Sequence, residues 1–87
     1  MGIAEFMSQF IEDTISNLVD FKEEVAVITS ITTKLVLIQV KTNKSDIGKV
    51  IGKNGRTINA LSVICLAAKN TKFPDDPKGL SIEILED

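Results

Sequence analysis

Two glycines three positions apart, Gly52 and Gly55, interrupt an otherwise apolar helical pattern in this 87-residue chain. Ser45 is expected to cap a short helix that runs to about Ile51, and a longer helix is expected to begin near Arg56. Glycine adopts backbone conformations that are closed to other residues, so the pair permits a sharp bend between these helices. The fold must therefore bring two helices together across a tight turn.

The rest of the chain shows the periodicities of one more helix and three strands. Apolar residues recur every three or four positions near the N-terminus, which predicts an amphipathic helix that ends near Asp20. Alternating β-branched residues predict an antiparallel hairpin and one last strand. The predicted ranges are 3–19 for the first helix, 25–32 and 35–41 for the hairpin, 56–69 for the long helix and 80–85 for the last strand.

The order of these elements is helix, strand, strand, helix, helix, strand. A three-stranded sheet packed on one face by helices buries all of their apolar faces at once. We therefore predict a single α+β domain over residues 1–87. No apolar run reaches the roughly 18–20 residues that span a bilayer, and no secretory leader pattern is present, so we expect a cytoplasmic protein.

Charge is distributed unevenly along the chain. The net charge is −2, yet seven of the ten basic residues lie between positions 41 and 72 with a single acid among them. Binding to phosphate depends on Lys and Arg, so a basic segment around the glycine bend favours a nucleic-acid ligand. A solvated charged face is the alternative interpretation of such a run.

Two phosphate-binding motifs are excluded at the bend. A Walker A loop needs four residues between its glycines and Ser or Thr after its lysine, but Gly48 and Gly52 enclose three residues and Lys53 precedes Asn54. A dinucleotide fingerprint follows a strand directly and needs glycine where Val50 stands. The bend must therefore be compared with motifs that join two helices.

The segment 50–58 resembles the Gly-x-x-Gly signature of KH domains. It reads Val50-Ile51-Gly52-Lys53-Asn54-Gly55-Arg56-Thr57-Ile58. The predicted element order is similar to the type II, or prokaryotic, KH fold, and segment 46–57 looks most like the short single-domain bacterial KH proteins of the KhpA type. This resemblance implies a non-catalytic domain that binds single-stranded RNA and acts as an RNA chaperone or post-transcriptional regulator. It also implies a homodimer and pairing with a larger KH protein of the Jag or KhpB type.

The residues around the bend suit a sugar-phosphate chain. The glycines allow close backbone approach, and the N–H groups that open the long helix would face phosphates. Lys53 and Asn54 are expected to reach phosphate and sugar oxygens, with a cation on either side and apolar side chains as a floor for the bases. A plain helix-to-helix turn is the alternative for a bare Gly-x-x-Gly. The predicted RNA site comprises Ile47, Lys49, Ile51, Gly52, Lys53, Asn54, Gly55, Arg56 and Ile58.

The long helix is apolar nearly all round, since only Asn59 and Ser62 interrupt positions 58–68. A helix on a sheet needs one apolar stripe, so something must cover the rest. Either the first helix and the 70–79 loop do so, or a second copy or partner docks there. The predicted dimer face is Ala60, Val63, Leu66 and Ala67. A protein-interaction module with little RNA affinity is therefore the alternative function.

Catalytic and metal-binding patterns are missing from the sequence. It has no His, and its single cysteine, Cys65, lies in an apolar helical run that predicts a buried thiol. We therefore predict no enzyme activity, metal or cofactor. The resemblance implies that the loop 72–77 is a variable loop at the other rim of the groove. There Asp75 and Asp76 would repel phosphate if they pointed inward but not if they faced away.

Overall fold

The computed structural model describes residues 2–86. Its helices are α1 (Ile3–Ser16), α2 (Ile47–Ile51) and α3 (Arg56–Lys72), and its strands are β1 (Ala26–Ile31), β2 (Leu35–Lys41) and β3 (Gly79–Ile84). Short 3-10 turns cover Lys22–Glu24, Lys44–Asp46 and Lys53–Gly55. The α+β class and the order α-β-β-α-α-β are confirmed.

β2 is the central strand of the three-stranded sheet. It pairs antiparallel with β1, so that Thr29 lies opposite Ile38, which confirms the predicted hairpin. It pairs parallel with β3, so that Ile38 lies beside Ile82. A parallel pair needs a long crossover connection, and the segment that carries α2 and α3 provides it.

The core lies between the helices and one face of the sheet. Every second residue of β2 is completely buried, as the two-residue period of a strand requires. Ser8 and Thr29 share a hydrogen bond of 2.7 Å between hydroxyls, so Thr29 faces α1, while its neighbour Ile28 is 57% exposed on the other face. Helices therefore pack on one face of the sheet, as predicted. The buried cluster is Met7, Ile11, Ile15, Val36, Ile38, Val40, Val50, Leu61 and Cys65.

Two chemically unusual side chains of α3 lie inside the protein. Cys65 is buried as predicted, and burial raises the pKa of its thiol to about 11. Lys69, part of the predicted basic segment, is also completely buried. Its ammonium donates to the carbonyl oxygen of Asp76 at 2.9 Å and to Asn70 Oδ1 at 3.3 Å. α3 continues to Lys72 instead of ending near position 69, and the N–H of Phe73 donates to the carbonyl of Lys69 at 2.7 Å where the helix ends.

Other predicted boundaries were wrong for local reasons. α1 ends at Ser16, and beyond it the backbone N–H of Asp20 donates to Asp46 at 3.1 Å instead of continuing the helix. Ser45 is not the cap before α2. Asn43 Oδ1 accepts the N–H of Ser45 at 2.9 Å and caps the 3-10 turn that leads into α2. β1 and β3 each differ from the predicted ranges by one residue at either end.

Candidate nucleic-acid interface

The bend between α2 and α3 depends on left-handed backbone conformations. Gly52 has φ +78° and ψ 170°, and Asn54 and Gly55 have φ +57° and +75°. A hydrogen bond of 3.1 Å from the N–H of Gly55 to the carbonyl of Gly52 closes the turn. A Cβ on Gly52 would lie 2.3 Å from Thr57 Oγ1 and 2.8 Å from the nitrogen of Thr57. Contact with Thr57, without any ligand, is therefore enough to require glycine at position 52.

We expect Gly52→Ala to destabilise the domain more than Gly55→Ala. Position 52 lies in a backbone region open almost only to glycine, which costs roughly 1–3 kcal/mol for other residues, and the contact with Thr57 adds to that cost. A Cβ on Gly55 meets Asn59 at an ordinary 3.7 Å, so the matched variant bears only the cost of about 1–2 kcal/mol for a left-handed alanine. Urea unfolding measures both, and equal losses would contradict this reading of the bend.

Five of the predicted site residues, Gly52 to Arg56, form the bend and the start of α3. Lys53 and Asn54 are exposed at its tip, and Arg56 is exposed where α3 begins. Asn54 takes the left-handed conformation that Asn and Asp tolerate better than most residues. Three isoleucines around the bend, Ile47, Ile51 and Ile58, are half-buried. The arrangement therefore presents polar and positive groups to solvent, with partly accessible apolar surface nearby.

Lys49 lies in α2 but has acidic partners that the sequence did not indicate. Its ammonium donates a hydrogen bond to Asp20 and lies 3.6 Å from Asp46 Oδ1. The hydrogen bond to Asp20 and the nearby carboxylates raise the pKa of Lys49 against the opposing effect of burial. One of the predicted RNA-contacting cations is therefore already paired within the chain.

Asp46 anchors the segment after α1 to the start of α2. It is completely buried and accepts the backbone N–H groups of Asp20 at 3.1 Å and Phe21 at 3.0 Å. Burial raises the pKa of Asp46, but hydrogen bonds from Phe21 and Asp20 and the charge of Lys49 outweigh it, so the pKa lies below its ordinary value. Sequence reasoning missed this role because the partners are 25 and 26 positions away.

In the loop after α3, Asp76 is paired with lysines of the same chain. Asp76 accepts the backbone N–H of Lys78 at 2.9 Å and its ammonium at 3.0 Å, and it lies 3.6 Å from the ammonium of Lys69. The hydrogen bond from the N–H of Lys78 is the main cause of a lowered Asp76 pKa. The 17 residues of α3 span about 25 Å, so the loop lies at the end of α3 remote from the bend. Asp76 therefore faces its lysine partners and not the glycine turn.

The outer face of α3 stays uncovered by the chain. Val63 is 70% exposed and Leu66 37%, whereas Leu61 and Cys65 on the opposite side are buried. Ala60 and Ala67 are exposed as well. The interpretation that α1 and the 70–79 loop cover this face is therefore wrong for all four residues of the predicted dimer face. Ile64, 52% exposed, extends the same apolar surface and was not predicted as part of it.

Two further features concern the described part of the chain. Within residues 2–86 no helix combines the length and apolar character needed to cross a bilayer. In the same range no three Cys, Asp or Glu side chains come together as possible metal ligands.

Two helices joined by a Gly-x-x-Gly turn, on a three-stranded mixed sheet in this order, define a KH domain of type II. The family model described as KhpA/KhpB, KH domain matches residues 8–84, and the chain belongs to this family. The KhpA family is non-catalytic, which confirms that the chain is not an enzyme.

Named relatives agree with the family match. The chain is 35% identical over 81 residues to RNA-binding protein KhpA of Chlamydia trachomatis, covering 93% of this chain and 99% of that protein. It is 38% identical over 80 residues to RNA-binding protein KhpA of Aquifex aeolicus, covering 92% and 96%. Among solved structures, an Aquifex aeolicus Era variant bound to GDP·AlF4⁻ matches with a TM-score of 0.75 and 9% identity, over 100% of this chain and 33% of Era. That last likeness concerns the fold alone.

Proposed function

We propose that this chain binds single-stranded RNA, without catalysis, through the bend between α2 and α3. The observation that carries the proposal is the exposure of Lys53, Asn54 and Arg56 around a left-handed turn at the start of α3. The relatives named RNA-binding protein KhpA support it. A role in RNA chaperoning or post-transcriptional regulation, in the cytoplasm, belongs to the same proposal.

The geometry of the bend suits a phosphate chain in three ways. Lys53 followed by left-handed Asn54 is the backbone pattern of the concavities that bind anions, although the N–H of Gly55 is already taken by the carbonyl of Gly52. The N-terminal end of α3 adds the positive end of the helix dipole. Lys53 and Arg56 supply full charges, and the half-buried isoleucines give bases an apolar surface. A KH groove of this kind takes about four nucleotides.

Salt dependence of RNA binding tests the proposal. Three phosphate contacts, by Lys49, Lys53 and Arg56, predict a slope of about −2 in log K against log salt, at ~0.7 per contact for a single strand. Fluorescence anisotropy with a labelled single-stranded oligonucleotide measures the slope, and the same sequence as a duplex is the control. A slope of zero, or equal affinity for the duplex, would contradict single-strand binding at this surface.

A second function, protein interaction, is favoured by the exposed apolar face of α3. We propose that Ala60, Val63, Leu66 and Ala67 mediate a homodimer, or a heterodimer with a larger KH protein of the Jag or KhpB type. The support is the 70% exposure of Val63 in a helix whose other side is buried. Two domains joined in this way would bind a longer RNA more tightly than one. The two functions are therefore compatible.

A further inference from the structure

The ion pair between Asp20 and Lys49 bears on how tightly the proposed RNA site can bind. We propose that Asp20 competes with RNA phosphate for the ammonium of Lys49 and thereby limits the affinity of the site. This inference rests on the proposed function, because it matters only if RNA lies against α2. It assigns an RNA-related role to a residue outside the Gly-x-x-Gly segment.

Asp20 is held beside α2 by its backbone. Its N–H donates to Asp46 Oδ1 at 3.1 Å, and the N–H of Phe21 donates to the other oxygen at 3.0 Å. Asp46 is completely buried, and both of its oxygens are used in this way. The Asp20 carboxylate is thus fixed near Lys49, so its effective concentration there is high even though the side chain itself is exposed.

The contact is nevertheless weak enough for phosphate to replace it. The side chains of Lys49 and Asp20 are 45% and 71% exposed, and exposed ion pairs shift an equilibrium by only about 1.4- to 5-fold. Asp46 lies 3.6 Å from Lys49, and the backbone N–H groups of Asp20 and Phe21 bond to it independently of Lys49. Lys49 can therefore exchange Asp20 for a phosphate without leaving a buried charge unpaired.

The test is a comparison of Asp20→Asn with two further variants. We expect Asp20→Asn to bind a labelled single-stranded 12-mer RNA about 2- to 5-fold more tightly at low salt. Its salt slope is expected to match that of the parent, because Lys49 contacts phosphate in both proteins. Glu23→Gln removes an equal charge from an exposed residue three positions further along the chain and is expected to leave affinity within about 1.4-fold. Adding Lys49→Gln to Asp20→Asn is expected to abolish the gain.

Several outcomes would overturn the inference. They are unchanged affinity in Asp20→Asn, an equal gain in Glu23→Gln, or a gain that persists without Lys49. The backbone N–H that bonds Asp46 remains in Asp20→Asn, so its melting temperature is expected to match that of the parent; if it does not, Asp20→Ser repeats the test. If the double variant Lys53→Asp/Asn54→Asp loses RNA binding but Asp20→Asn shows no gain in affinity, the inference about Asp20 is refuted and the proposed function is not. Equal RNA binding by the parent and that double variant refutes the proposed function.

Discussion

Replacing Lys53 and Asn54 together by aspartate is expected to abolish RNA binding and leave the fold intact. Both side chains are exposed, and Asn54 has a left-handed φ of +57° that aspartate also tolerates. Each new carboxylate about 4 Å from a phosphate costs between ~1 kcal/mol in water and ~4 kcal/mol near a protein surface. Two of them, with the loss of the Lys53 cation, correspond to an affinity loss of at least about 30-fold.

Fluorescence anisotropy with single-stranded RNA measures this loss, and circular dichroism checks the fold. The matched control is Thr33→Asp/Lys34→Asp, which makes the same change of charge at two exposed residues. These lie in the turn between β1 and β2, where the carbonyl of Lys34 accepts the N–H of Gly79 at the start of β3. That turn adjoins the end of the α3–β3 loop, away from the glycine bend. Equal affinity in the two double variants would show that overall charge, and not the bend, governs binding.

A charge on the outer face of α3 is expected to convert the proposed dimer into folded monomers. Val63 is 70% exposed in the isolated chain, so Val63→Glu has little to disturb within one copy. In a symmetric dimer along α3 the same carboxylate would be buried without a partner, at a cost of about 3–5 kcal/mol. The dissociation constant would then rise by at least about 100-fold.

Sedimentation velocity over a range of protein concentrations measures the change. Ile28→Glu is the control, because it places the same charge on an aliphatic residue that is 57% exposed on the open face of the sheet. We expect Ile28→Glu to remain dimeric. A parent protein that is monomeric at high micromolar concentration would refute the dimer, and dissociation by Ile28→Glu instead of Val63→Glu would move the interface to the sheet.

The types and order of the elements could be predicted because each depends on local periodicity. The alternation of Val36, Ile38 and Val40 identified the strand that became the centre of the sheet. The boundaries could not be predicted where distant groups decide them. α1 gives way to a turn whose N–H groups bond Asp46, and Lys69 lies inside the protein beside a loop that follows the helix. The parallel pairing of β2 with β3 is also a tertiary property.

Only part of the candidate site could be predicted from the sequence. The glycine bend and its exposed tip follow from residues adjacent in sequence, so position 52 and its neighbours were identified directly. The partners of Lys49 were not, because Asp20 comes 29 positions earlier and only the folded chain brings the two together. Charge counting along the sequence treated Lys49 and Lys69 as available cations. The structure shows both paired with carboxylates.

The buried thiol of Cys65 can be used to follow the separation of α3 from the core. It is the only cysteine in the chain, its side chain is completely buried, and burial raises the pKa of its thiol to about 11. A maleimide therefore reacts with the folded protein only when α3 separates from the core, and the labelling rate measures how often that occurs. The same labelling rate separates two kinds of variant. A variant that has lost only a binding surface is expected to be labelled as slowly as the parent, whereas one that has lost its packing is expected to be labelled faster.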